Sequence, residues 1–197
     1  GLLLLGAALA LAACASNDDP DLPTLSAATP GTLQSCTDLA TKAKLANTTI
    51  ASSTLVAAGA LTVTGVTTPM PEHCLVKGEM NRRTSAVDGK SYAIGFEMRL
   101  PTAWNGRYFY QANGGIDGSV VTATGPTSGG APVSNALQMG FAVLSSDAGH
   151  SGPPWWGLDP QARLDYGYQA VGSLTPMAKN LIKVAYGKAP DRSYFGG

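Results

Sequence analysis

Arg107-Tyr108-Phe109-Tyr110-Gln111-Ala112-Asn113-Gly114-Gly115-Ile116-Asp117-Gly118 joins a short aromatic strand pattern directly to a glycine loop. Upstream, in Ser91 to Leu100, the apolar side chains Tyr92, Ile94, Phe96, Met98 and Leu100 alternate with positions that include Glu97 and Arg99. That period of two predicts a half-buried strand. Cys74 to Met80 reads as a partner strand across the turn-rich run Thr84 to Lys90, which makes an antiparallel edge. Downstream, Val133 to Met139 reads as a helix and Phe141 to Ser146 as an apolar strand ending at Asp147. Gln161 to Tyr186 carries the clearest helical stripe, with Leu174, Met177, Ala178, Leu181, Ile182 and Ala185 on one face. Pro176 is expected to break or restart that helix, with Ser173 or Thr175 as a new N-cap, and Gly187 to end it. Arg192 to Gly196 begins another strand. Strands alternating with helices predict an α/β layered sheet with crossover connections.

Farther out, Leu39 to Leu45 reads as a short helix and Thr48 to Val66 as strand. Leu2 to Ala13 is an apolar run too short to span a bilayer, and it closes with Leu11-Ala12-Ala13-Cys14. The run resembles a bacterial lipoprotein signal whose Cys14 receives the lipid and becomes the mature N-terminus. Residues 1–14 are therefore expected to be the address and 15–31, rich in Ser, Asp, Pro and Thr, a disordered tether. Residues 32–197 form the domain. Export to the periplasm or cell surface, anchored to a membrane through Cys14, places the chain in an oxidising compartment. Cys36 and Cys74 then read as one disulfide, the alternative being pairing with cysteines beyond Gly197.

Thirteen basic and thirteen acidic residues cancel, so no field points to nucleic acid. No metal set is legible, because Cys36, Cys74 and His73 fall short of a tetrahedral zinc shell. A strand running into a glycine loop is what an α/β hydrolase uses for its oxyanion hole. One backbone N–H comes from that loop and another from the residue after the nucleophile. Glycine lets the backbone approach the reacting carbonyl in dihedrals that other residues avoid.

Several ordered motifs sharpen this expectation. Trp104-Asn105-Gly106-Arg107 and Gly114-Gly115-Ile116-Asp117-Gly118 resemble the W-N-G-R and glycine-run stretches of the tannase/feruloyl esterase family. Ser146-Asp147-Ala148-Gly149-His150 is similar to its S-T-D-x-G-H stretch, and Asp165-Tyr166-Gly167-Tyr168 to its D-F-G-Y region. Tyr186-Gly187, Pro190 and Ser193-Tyr194-Phe195 match its approach to the nucleophile, so the resemblance runs from about Cys36 to Gly197.

The resemblance implies the N-terminal part of an α/β-hydrolase fold, with a central mostly parallel sheet, crossover helices and antiparallel edge strands. It also implies a serine carboxylesterase acting on small aromatic acid esters (feruloyl, galloyl or terephthaloyl), with the triad beyond Gly197. A lid, and any calcium it holds, would lie there too; no cofactor is expected within these residues. By motif position Gly115 is the oxyanion N–H donor and Gly114 lines the substrate site. Ala112 and Asn113 stand where the family carries glycines, which affects the path of the loop.

Other polar residues read more plainly. His150 and His73 are expected to be structural, Asp147 to serve a turn or network, and Arg163 with Asp165 to form a helix-start ion pair or cap. Trp155 and Trp156 line a cleft or cover the core. The competing class is a non-catalytic surface lipoprotein that binds a ligand or partner. Residues 1–197 expressed alone are expected to be inactive and unstable, with an open sheet edge. Coding DNA past Gly197 is expected to read C-S-x-G-G and, later, an Asp and a His-Cys; sequencing it separates the two classes, since a stop codon there favours the lipoprotein.

Overall fold

The computed structural model describes residues 25–126, 135–152 and 154–197. The lipobox with Cys14 lies outside the described residues. The strands are β1 (Gly31–Thr32), β2 (Thr48–Val56), β3 (His73–Thr84), β4 (Ser91–Pro101), β5 (Ala103–Trp104), β6 (Arg107–Gln111), β7 (Ala142–Ser146) and β8 (Arg192–Gly196). The helices are α1 (Leu39–Lys42), α2 (Pro160–Leu164) and α3 (Ala170–Tyr186). A six-stranded sheet has the order β2-β3-β4-β7-β6-β8, while β1 and β5 form a small antiparallel pair.

β2, β3, β4 and β7 pair antiparallel in turn, whereas β6 pairs parallel with both β7 and β8. The antiparallel part is thus broader than an edge, because three strands precede the first parallel one. The chain leaves β7, crosses one face through α2 and α3, and returns as β8 on the far side of β6. That long crossover is what brings β8 alongside β6 in the parallel sense.

The period-two reading of β4 describes one face. Ile94, Phe96, Met98 and Leu100 meet Leu174, Met177, Ala178, Leu181 and Ile182 of α3 in the main core. The other face is covered too, since Glu97 and Arg99 are both buried. Arg99 Nε donates to Glu97 Oε1 at 2.8 Å, and its guanidinium donates to His73 Nε2 at 2.7 Å. His73 Nδ1 therefore carries the ring proton and donates to Pro71 O at 2.7 Å. Burial lowers the His73 pKa and keeps the ring neutral.

Some local expectations change. The strand expected over Thr48 to Val66 ends at Val56. Of the helix expected over Val133 to Met139, residues 133–134 lie outside the described ones, and 135–140 form a turn. Asn135 Oδ1 there accepts from Gln138 N at 3.0 Å, competing with the helical pattern. Pro176 sits inside an unbroken α3. Pro176 and Gly172, four residues before it, are both exposed, so the carbonyl that loses its N–H partner faces water. The interruption falls earlier, in a π turn over Asp165–Gln169.

Of the expected tether, residues 15–24 lie outside the described ones, and the rest is docked. Thr29 N donates to Asp191 Oδ2 at 2.7 Å, and Gly31 pairs with Trp104.

Cys36 and Cys74 form a disulfide with Cα atoms 5.5 Å apart, tying the segment before α1 to β3. Its 38-residue separation predicts that reduction or Cys36→Ala lowers stability by about 4 kcal/mol on the chain-entropy estimate. Urea unfolding with and without reductant checks this.

Candidate active site at the C-terminal rim of the parallel strands

β6, β7 and β8 run in the same direction, so their C-terminal ends share one rim. The loop 112–118, the turn 147–150 and the end of β8 meet there. Ala112 N donates to Gly196 O at 2.8 Å, which sets the start of the glycine loop against the last residues of β8. A cleft of about 150 Å³ opens at this rim, with Tyr110, Ala112, Asn113, Asp117, Tyr166 and Phe195 among its walls.

The loop leaves β6 through Asn113, whose side-chain amide donates to Ser145 Oγ at 3.0 Å and Ser146 O at 2.7 Å on β7. Gln111 supports it, donating to Asn113 Oδ1 at 2.9 Å while accepting from Gly125 N at 2.8 Å. Gly114 and Gly115 then take φ of 76° and 62°, with open space where a Cβ would stand. Gly114 O accepts from Asp117 N at 3.2 Å, closing a four-residue turn with positive φ at its first central position. Among the described residues nothing accepts a hydrogen bond from the Gly114 or Gly115 amide.

Asp147 follows β7. Its Oδ1 accepts from Gly149 N at 2.8 Å and Gly95 N at 3.0 Å, and a Cβ at position 95 would meet Oδ2 at 2.6 Å. Asp147 is thus a network residue that straps β7 to β4. Burial pushes its carboxyl up to about 6, against the two N–H donors that favour its charge. Asp117 is raised as well, chiefly by burial.

His150 is buried, with Nε2 2.7 Å from Ile116 O, and it stacks on Trp156 at 3.8 Å between ring centroids. The two tryptophans separate: Trp156 packs with Tyr92 and Ala162, whereas Trp155 is 64% exposed. Neither Arg163 nor Asp165 caps the start of α2, and Asp165 instead stands at its C-terminal end. Asp159 caps the start, accepting from Ala162 N at 2.7 Å, and both its oxygens take the Arg83 guanidinium. That guanidinium holds the Asp159 carboxyl well below the usual range. Asp165 is buried and accepts from Gln161 at 2.9 Å, while Arg163 donates to Gly157 O. Tyr166, in the π turn, donates to Gly115 O at 3.2 Å, a contact invisible to local periodicity.

The family profile described as "Tannase and feruloyl esterase" matches residues 74–197. The chain belongs to the tannase and feruloyl esterase family. It is 41% identical over 138 residues to a mono(2-hydroxyethyl) terephthalate hydrolase of Piscinibacter sakaiensis, covering 65% of this chain and 23% of that protein. It is 30% identical over 127 residues to a probable feruloyl esterase B-2 of Neosartorya fischeri, covering 62% of this chain and 22% of that one. The chain therefore spans about a quarter of the length of the curated relatives it matches. The crystal structure of feruloyl esterase B from Aspergillus oryzae superposes with a TM-score of 0.64 at 24% identity, over 81% of this chain and 30% of that one. The fold is that of the family's α/β hydrolases. Among the described residues no helix is long and apolar enough to cross a membrane, and no group of three or more His, Cys, Asp or Glu is placed to hold a metal.

The Asp147 pKa sets a pH test. The folded value of about 6 exceeds the roughly 3.9 of an unfolded aspartate, so the folded state holds the extra proton between them. That contribution is complete below pH about 4 and is lost as pH rises through about 6. Asp147→Asn keeps an acceptor and carries no charge. It is expected to raise stability above pH 7, on the order of 1–3 kcal/mol, with the gap closing toward pH 4. Thermal melts of both forms from pH 4 to 8 check it.

Proposed function

We propose that this chain is the N-terminal part of an exported carboxylic ester hydrolase that cleaves small aromatic acid esters by a serine nucleophile mechanism. One observation carries the reading. The end of β8 is hydrogen-bonded to Ala112, so whatever follows Gly197 emerges beside the glycine turn and its free Gly115 amide. A nucleophile placed there attacks an ester carbonyl held over that turn.

The chemistry divides between this chain and the part beyond it. A serine after Gly197 attacks the carbonyl carbon while a histidine takes its proton. As the carbonyl oxygen gains negative charge, the Gly115 N–H donates to it. A fixed donor of this kind needs no reorganisation when the charge appears, and removing one in a studied protease costs about 10²–10³ in rate. Gly114 leaves room for the acyl group because no side chain stands there. Tyr110, Tyr166 and Phe195 give the cleft aromatic walls suited to an aromatic acid.

The address belongs to the same proposal. Leu11-Ala12-Ala13-Cys14 supplies a lipid-modified cysteine, and residues 15–24 the spacer that holds the domain off the membrane. Residues 1–197 alone lack a nucleophile and are inactive in this reading.

The complete protein is expected to hydrolyse p-nitrophenyl esters and esters of aromatic acids. Replacing the serine of the first downstream C-S pair by alanine is expected to abolish turnover. A folded complete chain without hydrolysis would sink the esterase reading and favour a binding lipoprotein.

A further inference from the structure

We infer that His150 is a positioning residue for the Gly115 N–H, acting through two peptide planes; the inference rests on the esterase reading above. A backbone carbonyl only accepts, so His150 Nε2 must donate to Ile116 O, 2.7 Å away. Fixing that carbonyl fixes its whole peptide plane, including the Asp117 N–H on the opposite side. Asp117 N in turn donates to Gly114 O at 3.2 Å. That second contact fixes the Gly114–Gly115 plane, whose opposite side is the Gly115 N–H. The free amide is therefore the last member of a chain that begins at the imidazole. Hydrogen bonds in series also polarise one another, which sharpens the donor at the open end.

Three further features support this role over simple core filling. His150 Nδ1 is buried without a hydrogen-bond partner among the described residues. An apolar ring of similar size would fill the space without that unsatisfied nitrogen, so the Nε2 contact is what the histidine contributes. The ring is also clamped. Trp156 stacks on it at 3.8 Å, and Tyr166 meets it edge-on at 5.4 Å. Tyr166 donates to Gly115 O, so the same aromatic group grips the adjoining peptide of the turn. Finally, His150 lies beyond the walls of the cleft itself, so its effect on chemistry must pass through the loop.

The test uses the complete esterase and three variants: His150→Phe, which keeps the stacked ring but has no donor, His150→Ala, and His150→Gln, whose amide N–H reaches the same carbonyl. Turnover of a p-nitrophenyl ester, inhibition by phenylboronic acid as a tetrahedral mimic, and melting temperature are measured together. Phe and Ala are expected to lower kcat about 10- to 100-fold with KM within about threefold, a partial loss of one oxyanion donor. Boronate inhibition is expected to weaken by the same factor, and Gln to recover most of both. Wild-type kcat in His150→Phe, a loss of kcat with unchanged boronate inhibition, or failure of Gln to rescue in a variant melting near the wild type would overturn the inference alone. Absence of hydrolysis by the wild type would sink the esterase reading and remove the oxyanion this chain of contacts serves.

Discussion

The structure depends on β6 being paired on both sides by parallel neighbours. Gln111 stands opposite Ser145 on one side and Gly196 on the other, so three strands end in register. That register fixes where loops can meet. Had β7 returned as a hairpin, the glycine loop and the segment after Ser146 would lie at opposite ends of the sheet. Parallel pairing needs a long connection, and the one that carries the chain to β8 runs through α3, whose Leu174, Leu181 and Ile182 share a core with Met98 and Leu100. The stripe on α3, the out-of-sequence strand order and the convergence at the rim are consequences of one pairing.

The second constraint is electrostatic. This sheet buries polar groups on the face opposite α3, and each is held by a partner far away in sequence. Glu97 accepts from Arg99 and from Ala123 N at 3.0 Å, while Arg99 reaches His73 across β3 and β4. A buried pair of this kind adds little net stability, because desolvation offsets attraction, yet losing one partner strands a charge. Its effect is to fix how the 119–126 segment lies over the sheet. Arg83 and Asp159 do the same at another place, joining the β3–β4 hairpin to the first turn of α2.

What was legible in the sequence follows from this division. The alternation of Ile94, Phe96, Met98 and Leu100 and the stripe on α3 are local patterns, and both elements are where those patterns put them. The glycine loop was legible because φ near +62° and +76° selects for glycine. The Cys36–Cys74 bond followed from counting cysteines in a chain expected to be exported. The Arg83–Asp159 ion pair, the Tyr166 contact and the Ile116–His150 contact were not legible. Their partners are separated by 76, 51 and 34 residues, and no local period encodes such pairs. Pro176 misled for a related reason: its cost depends on whether the Gly172 carbonyl finds water, which is a property of the packed helix.

Asn113 shows how the loop is held at a position without glycine. A glycine there would leave the chain free to swing as it departs from β6. Asn113 instead spends its amide on Ser145 and Ser146, so the loop is tied to β7 one residue before the turn begins. Conformational freedom is then kept only at Gly114 and Gly115, where the left-handed dihedrals require it. The rest of the turn is held by neighbours, through Tyr166 to Gly115 O, His150 to Ile116 O and Gly118 N to Asp147 O at 3.3 Å. The site proposed for these backbone amides has no side chain of its own to position. Its geometry therefore resides in these surrounding contacts, and substitutions among them are where the rim is most open to change.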